Sequence, residues 1–165
     1  MPGEVERMTR KYRIDPRLAR ADWLVAPFQI EVDSSSWHKL AVEEYETANG
    51  PADYALCDGG RVQAVVEAKK VTLGPQGVLI QAERYSKGIG QVPRYQDEFG
   101  VPFLYSTNGE VIWFHDVRDG LNRSRRVSGF HTPAALEEML TRDLDAEIET
   151  LSGVPQSQRM RPVRA

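Results

Sequence analysis

The segment from 52 to 69 constrains the fold of this chain most strongly, because two strand-like runs flank a glycine-rich turn. Residues 52–57 and 61–69 are rich in strand-forming residues, and Asp58-Gly59-Gly60 joins them. We expect a three-residue loop, a common hairpin connection with glycine in the left-handed backbone conformation. The sequence therefore predicts an antiparallel β-hairpin.

The length of this loop decides which side chains share a face of the hairpin, because side chains alternate across a sheet. A three-residue loop sets Asp53 opposite Val65 and diagonal to Glu67. A two-residue loop would slip the register and place Asp53 and Glu67 on opposite faces. The three-residue loop is favoured because it sorts polar from apolar residues, with an apolar core face of Ala52, Tyr54, Leu56, Val62, Ala64, Val66 and Ala68.

The predicted polar face gathers Asp53, Glu67 and Lys69 at one end of the hairpin. Magnesium prefers oxygen ligands and usually takes one or two carboxylates together with water and phosphate oxygens. Such a metal polarises a phosphodiester and helps to generate hydroxide. Lys69 can position or deprotonate that water and stabilise developing negative charge, and the Ala68 carbonyl is a further ligand. An exposed Glu67–Lys69 ion pair is the alternative that spacing alone leaves open.

The rest of the sequence predicts helices and strands in alternation, joined by turn residues. Asn108-Gly109 indicates a two-residue type I′ turn, Pro16 is expected to kink or break the first helix, and the segment 34–50 is left open. Predicted helices lie at 4–22, 78–87, 94–99 and 133–143, and further strands at 27–33, 101–107, 110–116 and 124–130. This order predicts a mixed α/β domain around one sheet.

Composition is that of an ordinary globular domain. The chain has 165 residues, 41% of them hydrophobic, and no apolar run approaches the roughly 20 residues that span a bilayer. The amino terminus is polar, and Cys57 is the single cysteine, so a cytoplasmic protein without membrane contact or disulfides is expected. Residues 1–151 are predicted to form the domain, and 152–165 a polar tail or linker.

Charge neither requires nor excludes a nucleic-acid partner, since the net charge is -3 but basic residues cluster. Each basic cluster is by default a solvated face, with DNA backbone contact as the alternative. The three histidines show no metal-ligand spacing, so zinc is not expected. The two basic clusters are Arg7, Arg10, Lys11, Arg13, Arg17 and Arg20, and Arg123, Arg125 and Arg126.

Two motifs resemble those of a known nuclease superfamily. Asp53 followed by Glu67-Ala68-Lys69 resembles the PD-(D/E)xK signature, although Pro51 is not adjacent to the aspartate. Gln81 and Tyr85 lie one turn apart on one helix face and resemble the QxxxY pair of the RecB-like branch.

The resemblance extends over nearly the whole chain to the R subunits of type I restriction enzymes. It is carried by Arg10-Lys11-Tyr12, Ala52-Asp53-Tyr54-Ala55-Leu56, Val66-Glu67-Ala68-Lys69-Lys70, Gln81-Ala82-Glu83-Arg84-Tyr85, Pro102-Phe103-Leu104-Tyr105-Ser106-Thr107-Asn108-Gly109, Ile112-Trp113-Phe114 and Phe130-His131-Thr132-Pro133. It implies the restriction-endonuclease-like fold, a central mixed β-sheet flanked by helices.

The resemblance also implies a function: magnesium-dependent hydrolysis of DNA phosphodiester bonds. Asp53 and Glu67 would bind the metal, while Gln81 and Tyr85 would orient Lys69, the metal-bound water or the DNA. In the family an acidic residue of the first helix approaches the metal. Glu6 is the candidate here, with Glu4 as the alternative.

Partners follow from the same resemblance. In these enzymes separate subunits recognise and methylate the DNA, and an ATP-driven motor follows the nuclease domain. No phosphate-binding loop of the GxxxxGK[ST] type occurs in this sequence, so ATP is expected to serve only a motor outside it. A stand-alone nuclease for repair or a mobile element is the first alternative, and a non-catalytic DNA-binding or docking module is the second.

Overall fold

A computed structural model of the chain describes residues 7–8, 10–29, 36–68 and 79–151, with side chains as far as Arg142. The helical elements are a π-helical turn (Arg10–Ile14), α1 (Asp15–Arg20), α2 (Ile80–Lys87) and α3 (Pro133–Leu151). The strands are β1 (Leu24–Pro27), β2 (Leu40–Thr47), β3 (Gly50–Asp58), β4 (Arg61–Ala68), β5 (Phe103–Thr107), β6 (Ile112–Asp116) and β7 (Arg125–Val127).

The strands of the described part form one mixed sheet of seven strands in chain order, from β1 to β7. The pairs β1–β2 and β4–β5 are parallel, and the other neighbours are antiparallel. A parallel neighbour requires a crossover connection, and α2 lies in the connection between β4 and β5. The predicted mixed α/β architecture around one sheet is therefore confirmed.

The turn between β3 and β4 has two residues, so the predicted three-residue loop is wrong. Asp58 pairs with Arg61, and Gly59 and Gly60 between them have positive φ angles of +62° and +77°. Two consecutive positive φ values are the signature of a type I′ turn, whose twist matches that of the flanking strands.

A bulge then shifts the pairing by one more residue and returns Asp53 and Glu67 to the same face of the sheet. The pairing steps from Cys57 with Val62 to Leu56 with Ala64, so Gln63 is the extra residue on β4. Because Tyr54 pairs with Val66, the next step along both strands sets Asp53 opposite Glu67 rather than diagonal to it. The two one-residue shifts thus add up to two residues, which keeps both carboxylates on one face.

The predicted polar face of the hairpin is wrong except at that end. Ala55, Cys57 and Val65 are fully buried, and they belong to the same hydrophobic cluster as Ala82 of α2. On the other face, the Tyr54 hydroxyl donates a hydrogen bond to Asp15 at the start of α1. Helices therefore cover both faces of the hairpin, and only the end that holds Asp53 and Glu67 carries paired acids.

Several predicted boundaries also change. The segment 34–50, whose structure the sequence left open, supplies β2. The strand predicted at 27–33 is wrong, because β1 ends at Pro27 and residues 28–29 do not belong to the sheet. Residues 30–33 lie outside the described residues. The helix predicted at 94–99 is wrong, because this segment is a turn closed by a bridge between Tyr95 and Phe99.

The helix predicted at 4–22 is confirmed from Arg10 to Arg20, whereas residues 4–6 lie outside the described part. Pro16 does not break it, since it occupies the first turn of α1, where no backbone donor is lost. At the other end, β7 is shorter than its predicted range of 124–130, and α3 is longer than 133–143.

The β5–β6 hairpin is confirmed, but its predicted two-residue turn is wrong. Thr107 pairs with Ile112, which leaves a four-residue loop, 108–111. The Asn108 Oδ1 accepts hydrogen bonds from the backbone amides of Glu110 and Val111, at 2.8 and 2.9 Å. The asparagine side chain therefore builds the loop, in the manner of an Asx turn.

The chain divides into two compact units, one through Pro133 and one from Ala134. The first contains the whole sheet, and the second contains α3 beyond its first residue. No helix among the described residues is both long enough and apolar enough to cross a membrane. The predicted domain end at residue 151 stays a prediction, and the predicted tail, 152–165, lies outside the described residues.

Candidate active site

Asp53 and Glu67 face each other across the β3–β4 hairpin, at the end distant from its turn. The backbone amide of Ala68 donates a hydrogen bond to the Asp53 Oδ2 at 2.7 Å, so this carboxylate is held against the neighbouring strand. Glu67 is only 8% exposed. A nearly buried carboxylate beside a second one is costly without a compensating positive charge, so this position favours a cation.

Arg10 supplies positive charge to the acidic end of the hairpin. Its Nη1 lies 2.6 Å from the Glu44 Oε1 and 3.4 Å from the Asp53 Oδ1. Burial lowers the pKa of Arg10, but the Glu44 hydrogen bond and the Asp53 charge outweigh it, so the pKa is raised overall. The guanidinium is therefore firmly charged and bridges two acids.

Glu44 is a neighbour of the site that the sequence prediction missed. The pairs Glu43 with Tyr54 and Tyr45 with Ala52 set it opposite Asp53, and its positive φ of 52° turns the backbone locally out of the extended conformation. It lies in the segment whose structure the sequence left open. Only the pairing of β2 with β3 identifies it.

Tyr85 on α2 lies in the electrostatic field of the two carboxylates. Burial raises the pKa of its hydroxyl, the charges of Glu67 and Asp53 raise it further, and Arg84 lowers it. The structure thus brings Tyr85 to the acidic pair. Gln81 is engaged elsewhere, since its Oε1 accepts a hydrogen bond of 2.9 Å from Arg84, which also binds the Asn49 carbonyl.

Ser106 is a second neighbour that was not predicted as a site residue. It pairs with Glu67 in the parallel β4–β5 ladder, so the two side chains leave the sheet on the same face. It is fully buried, and its Oγ has no hydrogen-bond partner among the described residues. The signal in the sequence was its place in the run Ser106-Thr107-Asn108-Gly109.

The remaining predicted site residues are Lys69, Glu6, its alternative Glu4, and Ala68. Lys69, Glu6 and the alternative Glu4 lie outside the described residues. Ala68 is present, but its contact with Asp53 uses the amide rather than the predicted carbonyl ligand. Across the described ranges, no three His, Cys, Asp or Glu side chains group closely enough to hold a metal ion. The described part thus offers two carboxylates, a tyrosine and an adjacent arginine.

Comparison with known proteins supplies the family context of this arrangement. Residues 21–140 match a family described as the second domain of the type I restriction enzyme EcoKI endonuclease subunit. The EcoKI endonuclease subunit of Escherichia coli strain K12 is 29% identical over 178 aligned positions, which cover 79% of this chain and 15% of that protein. The chain therefore spans a small part of its curated relative.

A solved structure supports the architecture. It is a fragment described as the HsdR subunit of a type I restriction enzyme from Vibrio vulnificus YJ016, and it superposes with a TM-score of 0.60. The identity is 24%, and the match covers 84% of this chain and 25% of the other. The predicted restriction-endonuclease-like α/β fold is thereby confirmed.

Proposed function

The chain belongs to the family of type I restriction enzyme endonuclease subunits, and we propose that it forms the part of such a subunit that hydrolyses DNA. One observation carries the proposal beyond the family match. Asp53 and Glu67, the two acids of the PD-(D/E)xK pattern, meet across the hairpin, with the amide of Ala68 fixing the first. Carboxylates paired in this way are what metal-dependent phosphodiester hydrolysis requires.

The donor chemistry of the pair suits magnesium. Both side chains offer hard oxygen ligands, and magnesium commonly takes one or two carboxylates and fills its other positions with water and phosphate. Asp53 and Glu67 would hold the ion, with the carbonyl of Ala68 as a further ligand. When bound, magnesium polarises the scissile phosphate and lowers the pKa of its water.

Side chains of the protein would position the attacking water and the DNA and stabilise the developing charge. Lys69 would position the attacking water and stabilise the negative charge that develops on the phosphate. Tyr85, which lies in the field of both carboxylates, would orient that water or the DNA, and Gln81 would join it once released from Arg84. Arg10 balances the charge of Asp53 and would have to give up this contact or share the carboxylate with the ion.

Partners follow from the family. We infer that the natural substrate is double-stranded DNA, delivered by an ATP-driven motor within a longer subunit, and that separate modification and specificity subunits choose the target.

DNA cleavage by the complete enzyme, with ATP and magnesium, tests the proposal. Asp53→Ala, Glu67→Ala and Lys69→Ala should each abolish cleavage of an unmethylated plasmid while ATP hydrolysis continues. Glu46→Gln is the matched control, because it removes an exposed carboxylate from the same region of the sheet. Cleavage at the normal rate by the three alanine variants would show that the site is assigned wrongly.

A non-catalytic docking module is the second candidate, and one observation favours it. Arg10 already gives Asp53 and Glu44 a positive partner within the chain, as a purely structural cluster would have. In that case the alanine variants would lose stability but the complete enzyme would draw its cleavage activity from another region.

A further inference from the structure

A cavity of about 290 Å³ lies between α1 and the loop that follows β7. Two arginines of α1 form one side, and the loop 128–132 forms the other. Among its lining residues are Arg17, Arg20, Ser128, Gly129, Phe130 and Thr132. Among the described residues, the lining therefore contains two guanidinium groups and no carboxylate, which is the composition of a site for an anion.

The two arginines differ from several others in the described part of the chain in having no ion pair with an acid there. Arg10, Arg13 and Arg118 each lie within 4.0 Å of a carboxylate. In the part of the chain that the structure describes, no such ion pair involves Arg17 or Arg20. Arg125 of β7 lies over the Phe114 ring, 5.3 Å from its centroid, and that ring contacts His131 of the loop, so Arg125 adds positive potential on this side of the sheet.

The walls of the cavity are held in place by buried contacts. The Trp23 Nε1 donates a hydrogen bond of 2.9 Å to the carbonyl of His131, which ties the loop to the segment after α1. The His131 Nδ1 lies 2.6 Å from the Tyr105 hydroxyl, and the Phe130 ring packs edge-on against Tyr105 at 5.1 Å. A ligand would therefore enter a preformed site and pay little for ordering it.

We propose that this cavity binds a phosphodiester group of the DNA backbone, at a position separate from the bond that is cut. The planar fork of arginine matches phosphate oxygens, and the small volume suits one phosphate with part of its sugar rather than a whole cofactor. Phe130 of the lining packs against Tyr105, which pairs with Val66, so the cavity lies on the side of the sheet opposite Asp53 and Glu67. DNA as the occupant rests on the proposed function.

Such a contact would position the duplex without reading its sequence, because phosphates carry no base information. It would also make affinity depend on salt, since each neutralised phosphate releases condensed counterions.

Anisotropy of fluorescent duplex DNA, measured with the chain in EDTA over a range of salt concentrations, tests the proposal. The double variant Arg17→Gln/Arg20→Gln should bind more weakly, and the magnitude of the slope of log affinity against log salt should fall by about one, because one phosphate contact is lost. The control Lys39→Gln/Arg61→Gln removes the same charge from exposed positions beside the β3–β4 turn and should change the slope much less.

Gly129 offers a second variant that leaves both arginines in place. A Cβ at this residue would meet nothing within 4 Å, so Gly129→Asp brings a carboxylate to the cavity without a steric clash. It should weaken DNA binding, whereas Gly129→Ala should bind like the unaltered chain. Equal thermal unfolding midpoints for these variants would show that the fold is intact.

Equal salt slopes for the arginine pair and its control would overturn the proposal. So would tight binding of inorganic phosphate that depends on Arg17 and Arg20 but leaves DNA affinity unchanged, because the occupant would then be a free anion. These outcomes are independent of the cleavage test. Intact cleavage by the Asp53 and Glu67 variants would remove the proposed active site and leave the cavity's DNA contact standing.

Discussion

Two fully buried serines differ in whether their hydroxyl groups have hydrogen-bond partners. The Ser86 Oγ donates to the carbonyl of Val101 at 2.9 Å and accepts from its amide at 3.1 Å. Ser106, equally buried beside Glu67, has no such partner for its Oγ among the described residues. An unsatisfied buried hydroxyl costs stability, whereas a satisfied one contributes to it.

Removing each hydroxyl should therefore have different effects on stability. Ser86→Ala should lower the free energy of unfolding by about 1–3 kcal/mol, because it leaves the backbone groups of Val101 without their partner. Ser106→Ala should leave stability unchanged or raise it. Urea unfolding of the two variants makes the comparison, and an equal loss in both would contradict this account of Ser106.

The residues of the candidate site were only partly predictable. Asp53, Glu67, Gln81 and Tyr85 were predicted because their spacing follows a known pattern, and the structure brings Asp53, Glu67 and Tyr85 together. Arg10 and Glu44 were not, since their roles depend on a contact across 34 residues of sequence between a helical turn and a strand. No local pattern encodes such a pairing; it arises when the amino-terminal segment packs on the sheet.

At the scale of elements, the β3–β4 hairpin shows how Asp53 and Glu67 can share a face, as predicted, although the predicted register was wrong. Two glycines in a row are compatible with both two- and three-residue loops, and the sequence contains no local sign of the bulge near Gln63. The bulge leaves the hairpin buried on both faces, so the polar and apolar sorting that favoured the longer loop was a poor guide. Asp53 and Glu67 nevertheless share a face, because the two one-residue shifts add up to an even number and side chains alternate across the sheet.

The end of α2 depends on a glycine that has no room for a side chain. A Cβ on Gly100 would lie 1.7 Å from the carbonyl oxygen of Ile89. The Gly100 amide also donates a hydrogen bond of 3.0 Å to Ser86, and its carbonyl accepts one of 2.9 Å from Gln91. The backbone therefore cannot move aside without breaking these bonds.

Gly100→Ala should accordingly lower the free energy of unfolding by about 1–3 kcal/mol or more. Gly90→Ala is the matched control in the same connection, because a Cβ there would meet nothing within 4 Å, and its stability should stay the same or rise slightly. Thermal unfolding of both variants decides the matter. A Gly100 variant as stable as the Gly90 variant would show that this approach of the two chain segments is not needed.

At the scale of the whole molecule, the sequence was sufficient for the fold class and the family. The single mixed sheet and the relation to type I restriction endonuclease subunits were both predicted and are confirmed. The ends of the helices and strands, and the strand β2, were not predicted, because they depend on which strands become neighbours. The cavity beside α1 also escaped prediction, since it joins residues 17–20 to 128–132 and exists only in the folded chain.

The central claim is that Asp53 and Glu67 form one divalent-cation site. Manganese, a spectroscopically visible substitute for magnesium, can be titrated onto the chain in the presence of a short DNA duplex and followed by electron paramagnetic resonance. We predict one bound ion in the unaltered chain and in Glu46→Gln, and affinity weaker by at least about tenfold, or roughly 1.4 kcal/mol, in Asp53→Asn and in Glu67→Gln. Equal binding by all four proteins, or no binding by the unaltered chain, would contradict the account.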